Sequence, residues 1–213
     1  MRQLVTSAPV ARGVVARYVA GDEATDAVAV AGRLHADGLL VSLDHLGEDT
    51  RDARQADLVT QEYTTLLASL AAAGLAGGGA AEVSVKPTAV GLGLADHGEK
   101  TAAENISRIC TAAREADTTV TVDMEDDSHV DATLRIVRTL RGEFSDLGCV
   151  IQSQLRRSAA DCAAFCSPPR TAAECVSLSP RRQWPAASWP ATWPGRRPPT
   201  PSPWPAGCTP MGC

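Results

Sequence analysis

One unit recurs four times before residue 164: a short apolar strand, a polar residue that closes the strand, and a helix. The polar residues that close the four predicted strands are Asp44, Lys86, Asp123 and Gln152. Parallel strands joined through helices bring their carboxyl ends to the same edge of a sheet. We therefore expect these four side chains to lie near one another, and this edge is the expected place of a functional site.

The predicted strands are 39–43, 82–85, 118–122 and 149–151, and they are almost wholly apolar. Such strands are expected where protein covers both faces of a sheet. Helical spacing of apolar residues predicts helices over 25–37, from 49 or 50 onwards, over 99–116, after Ser128 and from 158. Asp49 or Thr50 is expected to cap the second helix, and Ser128 with Asp131 resembles a capping box.

This alternation predicts an α/β protein, with either a doubly wound sheet or the first half of a (βα)8 TIM-barrel type fold. Four consecutive strands with polar ends favour the barrel, whose mouth collects one residue from many strands. No G-x-G-x-x-G follows a strand, which argues against a Rossmann domain. We expect about the first four βα units of a barrel in residues 1–164, as a first domain.

Residues 165–213 differ sharply from the rest and are expected to form an irregular tail. They contain twelve of the fourteen prolines and all four tryptophans. Proline at this density excludes a helix or a central strand. A Pro-rich linker or partner-binding tail is the ordinary interpretation. We also hypothesise a frameshift near codons 165–170 of a GC-rich gene, which translation of the other two downstream reading frames would test.

Composition narrows the class of protein. The net charge of −5 gives no general reason to expect nucleic acid as a partner. No apolar window is long enough to span a membrane, and the N-terminus lacks the apolar segment of a secretory signal. A soluble cytoplasmic protein is therefore expected. Cys110, Cys149 and Cys162 are expected to be buried thiols, and the spacing of the four histidines predicts no metal site.

Lys86 and Asp123 are the candidate chemical groups at the strand ends. A lysine that closes a buried strand is costly unless it has a partner or a task. Lys86 is expected to pair with Asp44 or Asp123, to bind a substrate carboxylate, or to act as a Schiff-base amine. Asp123 would orient that lysine or take part in proton transfer. Glu125 and Asp126 are expected to be solvated loop carboxylates or charges at the start of the next helix.

Gln152 offers both a hydrogen-bond donor and an acceptor. This suits contact with the edge of a heteroaromatic ring such as a flavin. A polar side chain that closes the top of a barrel is an equally good interpretation of its position.

Five sequence motifs occur in order before residue 164. They are A-R-Y-V-A-G-D-E at 16–23, V-S-L-D-H-L-G-E at 41–48, V-S-V-K-P-T-A-V-G at 83–91, V-D-M-E-D at 122–126 and V-I-Q-S-Q-L-R-R at 150–157. In this order and with this spacing they resemble one family, the flavin-dependent proline dehydrogenases of the bacterial monofunctional kind. The resemblance covers roughly residues 7–164.

The resemblance implies a (βα)8 barrel that holds FAD and oxidises L-proline to 1-pyrroline-5-carboxylate, with electrons passed to a quinone. It implies that Lys86 pairs with the proline carboxylate and that Asp123 is the active-site aspartate. It also implies that Met124 and Gln152 contact the flavin. The family further suggests a cytoplasmic protein that can associate peripherally with the inner face of the membrane.

The sequence also departs from the family. Gln154 stands where the family usually has tyrosine, and nothing matches the family's fifth-strand arginine or the paired arginine of its last helix. Half a barrel would leave open sheet edges and exposed apolar faces. We therefore expect little or no proline oxidation by this chain. The alternatives are another barrel enzyme, such as an aldolase that uses Lys86, or a non-catalytic fragment with a Pro-rich binding tail.

Overall fold

The computed structural model describes residues 19–166, which fall into two compact units divided between Ser153 and Gln154. Residues 165 and 166 of the predicted irregular tail belong to the last described helix, and the rest of the tail, with its hypotheses, lies outside the described residues. The first unit contains helices α1 (Ala24–Ala36), α2 (Ala53–Ala72), α3 (Gly98–Glu115) and α4 (Val130–Leu140), strands β1 (Val41–Asp44), β2 (Ala81–Val85), β3 (Val120–Val122) and β4 (Gly148–Cys149), and 3-10 turns at Gly77–Gly79 and Asp127–His129. The second unit contributes helix α5 (Ser158–Cys166).

The four strands form one parallel sheet in the order β1-β2-β3-β4. The register places Leu43 beside Val83, and Val85 beside Val122. Each strand therefore pairs with the next strand in the chain, and the order never reverses. A doubly wound sheet has a reversal point at its centre, so the observed order is the one that a barrel requires.

Helix α2 shows how the sequence pattern succeeded and where it failed. Its apolar stripe is buried as predicted at Val59, Tyr63, Leu67 and Leu70, while Leu66 is only half-buried. The predicted cap is wrong. The Asp52 carboxylate caps the helix by accepting the Gln55 N–H at 2.8 Å, because residues 49 and 50 are engaged with the loop after β2.

The start of helix α4 also differs from the prediction. Ser128 does not cap it, and His129 at the cap position makes no capping side-chain hydrogen bond. Instead, the Asp126 carboxylate accepts the Ser128 N–H at 2.9 Å and forms the 3-10 turn that leads into the helix. The predicted apolar face is confirmed, since Val130, Leu134, Val137 and Leu140 are buried.

The two faces of the sheet are unlike, which corrects the expectation of wholly apolar strands. One face is buried and apolar, and it contains Leu43, Ala81, Val83, Val85, Val120, Val122 and Cys149. The opposite face carries Ser42, Glu82, Ser84 and Thr121, all partly or largely exposed. The Glu82 carboxylate accepts the Thr121 hydroxyl at 3.2 Å on this face. The strands therefore alternate between apolar and polar residues.

Within the described residues, no helix is long and apolar enough to cross a membrane. Cys110 and Cys149 are buried as predicted, whereas Cys162 is half-buried. In the same part of the chain, no group of three or more His, Cys, Asp or Glu side chains is placed to hold a metal ion.

Candidate functional site

The carboxyl ends of β1, β2 and β3 bring together three of the four predicted strand-end residues, Asp44, Lys86 and Asp123. The Asp123 N–H donates to the Val85 carbonyl at 2.9 Å, which keeps the end of β3 in register with the end of β2. Lys86 follows β2, and its ammonium forms an ion pair and a hydrogen bond with the Asp44 carboxylate from the end of β1. This confirms Asp44 as the partner of Lys86. The Lys86 side chain is only 18% exposed.

An open cleft of about 490 Å³ lies beside these strand ends. Three of the four predicted site residues line it, namely Lys86, Asp123 and Met124. Its other lining residues come from the loops after β1, β2 and β3 and are Glu48, Asp49, Thr88, Glu125, Asp126 and His129. The wall is therefore rich in carboxylates, with Lys86 as a nearby cation.

Asp123 is held in one orientation by its own loop. Its Oδ1 atom accepts the N–H of Met124 at 2.9 Å. Asp123 is half-buried, and Met124 behind it is 7% exposed. The geometry thus places an oriented carboxylate and a buried thioether side by side on the cleft wall.

Glu125 is not the solvated carboxylate that the sequence suggested. It is half-buried, and its two carboxylate oxygens accept the Thr88 N–H at 2.8 Å and the Thr88 hydroxyl at 2.6 Å. Burial raises the pKa of Glu125, while the hydrogen bonds from Thr88 oppose that rise. Asp126 does behave as predicted: it is exposed, and hydrogen bonds from Ser128 lower its pKa at the start of the 3-10 turn.

Thr88 connects the loop after β2 with the loop after β1. Its carbonyl oxygen accepts the Thr50 hydroxyl at 2.9 Å and the Thr50 N–H at 3.2 Å. Its hydroxyl oxygen accepts the Asp49 N–H at 3.2 Å while donating to Glu125. Sequence analysis missed this role. Thr88 and Glu125 each stand two residues beyond a predicted site residue on neighbouring strands, and that equal spacing could have revealed the pair.

Gln152, the fourth predicted residue, does not line the cleft. Its side-chain amide donates to the Glu125 carbonyl oxygen at 2.8 Å. The β4 end is aligned with β3 because the Val150 N–H donates to the Val122 carbonyl at 2.9 Å. Gln152 therefore supports the loop that carries Glu125.

Tyr63 of helix α2 was predicted only as part of an apolar stripe, yet its hydroxyl reaches the strand ends. The hydroxyl donates to the Ser84 carbonyl at 2.7 Å and accepts the His45 N–H at 3.1 Å. It also lies 3.4 Å from Oδ1 of Asp44, the partner of Lys86. Burial raises the pKa of Tyr63, so this hydroxyl keeps its proton and holds the end of β1 against β2.

Comparison with known proteins gives one consistent family. Residues 27–168 match the family model described as proline dehydrogenase. Proline dehydrogenase 1 of Bacillus subtilis (strain 168) is 38% identical over 145 residues, which are 68% of this chain and 46% of that protein. Proline dehydrogenase of Deinococcus radiodurans is 35% identical over 151 residues, which are 70% of this chain and 47% of that protein. The chain spans about half the length of the curated relatives it matches.

Among solved structures, proline utilization A (PutA) from Bdellovibrio bacteriovorus, in a form inactivated by N-propargylglycine, is similar with a TM-score of 0.65. The identity is 23%, and the match covers 74% of this chain and 19% of that one. This likeness concerns the fold. With the sequential parallel sheet, it confirms an α/β fold of the TIM-barrel type, of which the described residues contain four strands.

Proposed function

This chain belongs to the proline dehydrogenase family, and on that premise we propose that its cleft serves the FAD-dependent oxidation of L-proline to 1-pyrroline-5-carboxylate, with electrons passed to a quinone. One observation carries the proposal. Lys86, Asp123 and Met124 line a single cleft at the carboxyl ends of neighbouring parallel strands, which is where barrel enzymes place their chemistry.

Lys86 is the proposed partner of the proline carboxylate. Its side chain is mostly buried, and the Asp44 carboxylate holds its ammonium beside the cleft. A charge-assisted hydrogen bond from a partly desolvated ammonium is stronger than one in open solvent. The carboxylates of the cleft wall repel the carboxylate of a substrate, so that group would lie against Lys86.

Asp123 is the proposed catalytic residue. The sequence allowed it either to orient Lys86 or to take part in proton transfer, and the ion pair between Lys86 and Asp44 favours the second task for Asp123. Oxidation at the carbon next to the proline nitrogen requires the nitrogen to lose its extra proton. The Met124 N–H fixes the orientation of the Asp123 carboxylate on the cleft wall, and this carboxylate would accept that proton.

The residues present fit a flavin in part. Met124 supplies an apolar contact on the cleft wall, and the polar groups around it leave an open volume beside Asp123. Gln152 would help to hold the flavin by supporting the loop that carries Glu125, and its amide would contact the flavin ring. When bound, FAD supplies the acceptor for the hydride of proline, and the protein supplies position and electrostatics.

We further propose a quinone as the final acceptor and a cytoplasmic protein that associates peripherally with the inner face of the membrane. Both follow from the family that the chain belongs to. No observation favours the alternative of a Schiff-base aldolase. A nucleophilic lysine must reach a carbonyl as an unprotonated amine, whereas Lys86 here is engaged by a carboxylate.

Calorimetric titration of the purified chain with L-proline tests the proposal. We expect Lys86→Met to weaken binding about tenfold to a hundredfold, the range for losing a hydrogen bond to a charged group. Lys100→Met is the matched control, because Lys100 is the other lysine of the chain and lies exposed beside Glu104. Equal affinities of the wild type and Lys86→Met would contradict the proposed carboxylate site.

Two further measurements bear on the alternatives. Borohydride trapping of a carbonyl substrate on Lys86 would support an aldolase and contradict the proposed dehydrogenase. The expectation that the 213-residue chain has little or no activity stays a prediction. Robust reduction of flavin by L-proline in the purified chain would contradict it.

A further inference from the structure

We propose that Thr88 and Glu125 form a brace that positions Lys86 and Asp123 relative to each other for an amino acid substrate. The inference rests on the proposed function and extends it to Thr88 and Glu125, which have no part in that function as proposed. The Thr88–Glu125 brace consists of the two hydrogen bonds from Thr88 to the Glu125 carboxylate. Both are positioning residues, since they act through their neighbours.

The brace lies where it can control the separation of the two groups. Thr88 is the second residue after Lys86, and Glu125 is the second residue after Asp123. The strands that precede them pair at Val85 and Val122, so the two loops begin side by side. The way in which these two loops are joined therefore sets the separation of Lys86 and Asp123. That separation must match the distance between the carboxylate and the nitrogen of a substrate.

The contact is suited to fixing a distance. Both oxygens of one carboxylate take donors from one residue, at 2.8 and 2.6 Å, so the two loops can neither slide nor rotate without losing a bond. Thr88 is 2% exposed, and water does not compete at its end of the contact. Hydrogen bonds of this charge-assisted kind are stronger than neutral ones.

The brace also reaches both flanking strands. Thr50, in the loop after β1, donates to the Thr88 carbonyl, and Gln152, after β4, donates to the Glu125 carbonyl. The ends of all four described strands are thereby joined through two residues. A half-buried carboxylate with neutral donors is costly to maintain. The geometry of the Thr88–Glu125 contact, in contrast, is suited to holding Lys86 and Asp123, which lie on separate loops, at a fixed separation.

Competitive amine labelling with mass spectrometry reads the position of Lys86 without any ligand. Lys100 serves as the internal reference, because the chain has two lysines and Lys100 is exposed. We expect Thr88→Val to raise the labelling of Lys86 relative to Lys100 severalfold. The variant keeps the shape of the side chain but loses the hydroxyl bond to Glu125, so the loop that carries Lys86 is held less firmly. Thr88→Ser, which keeps the hydroxyl, should restore the wild-type ratio.

Titration with L-proline then reads the effect on binding. Thr88→Val should weaken binding about tenfold, with Thr88→Ser close to the wild type. An unchanged labelling ratio in Thr88→Val, or Thr88→Ser behaving like Thr88→Val, would overturn the brace. If the wild type binds no L-proline while the labelling ratios change as expected, the proposed function fails and the positioning of Lys86 by the brace stands.

Discussion

The two central strands and the two outer strands of the sheet are built differently. On β2, Ala81, Val83 and Val85 are all buried, and β3 likewise buries its two valines. On β1 only Leu43 is buried, and the preceding Leu39 and Leu40 are 51% and 56% exposed. Val150, just after β4, is 38% exposed. Among the described strands, β2 and β3 have a neighbour on each side, and β1 and β4 have one.

This difference separates the site residues whose loops are bonded to each other from those that depend on an outer strand. Lys86 and Asp123 follow the central strands, and their loops are tied to each other directly. Asp44 ends one outer strand and is held by Lys86. Gln152 follows the other outer strand and is held by the Glu125 carbonyl. The uncovered sheet face is polar, and most of the exposed large apolar residues flank the outer strands in the sequence, at Leu39, Leu40, Leu46 and Val150.

The largest expected effect comes from truncating a side chain behind the central strands. Ile109 of α3 is fully buried. Ile109→Ala should lower the free energy of unfolding by about 2 to 5 kcal/mol, because it leaves a cavity in a packed core. Leu40→Ala near β1 is the matched control and should change it by less than about 0.5 kcal/mol. Chemical denaturation measures both, and equal losses would remove the distinction between centre and edge.

Removing the Tyr63 hydroxyl should have an intermediate effect, because that hydroxyl ties the outer strand to the central one. Tyr63→Phe leaves the His45 N–H and the Ser84 carbonyl without this partner and should cost about 1 to 3 kcal/mol of unfolding free energy. Hydrogen exchange should show faster opening at β1 than at β3 in this variant. Equal acceleration in both strands would show that Tyr63 does not join edge to centre.

The pH dependence of stability should identify Glu125 as a half-buried carboxylate next to the central strands. Burial is the main cause that raises its pKa, with Glu48 adding to the rise, and Thr88 and His129 opposing it. The folded state then holds the proton more tightly than the unfolded state. The stability from this group is complete below the unfolded-state pKa and is lost as the pH rises through the folded-state pKa.

Glu125→Gln removes that titration. Across this acidic window, the free energy of unfolding of the wild type should therefore fall relative to that of the variant as the pH rises. Urea denaturation at a series of pH values measures the difference. A relative gain by the wild type with rising pH would contradict the assigned direction.

The smallest expected effect belongs to the helix surface, remote from the sheet. Arg108 of α3 pairs with Asp57 of α2 at 2.7 Å, and both side chains are about half exposed. Arg108→Ala should cost only about 0.2 to 1 kcal/mol, and less at high salt, because solvent screens the pair. A loss as large as that of Ile109→Ala would show that this pair, and not the core, joins the two helices.

Much of the fold could be predicted from periodicity. The βα order, the parallel sheet and the apolar faces of α2 and α4 follow from repeated spacing of Val, Leu and Ile, which tertiary packing reinforces. The cap of α2 at Asp52 and the start of α4 at Val130 could not be predicted, since they depend on which nearby polar residue is already engaged elsewhere. Thr50 resembles a cap in sequence, but its hydroxyl is bonded to the loop after β2.

The candidate site could be predicted in its strand-end residues but not in its connections. Lys86 and Asp123 are conspicuous because charged residues that close apolar strands are costly. The tasks of Thr88, Glu125 and Tyr63 arise from hydrogen bonds between residues 18 to 39 positions apart, so no pattern within a single strand or helix encodes them. Only the equal spacing of Thr88 and Glu125 after Lys86 and Asp123 points to that pair. Glu125 in particular looks like one more acidic loop residue until its partner is known.

The visible absorbance of FAD tests most directly whether the strand-end cleft binds proline and flavin. Titration of FAD with the purified chain should perturb the flavin spectrum, and L-proline should perturb it further. Lys86→Met should keep the first change and lose the second. A flavin spectrum that neither the wild-type chain nor added L-proline alters would contradict the account.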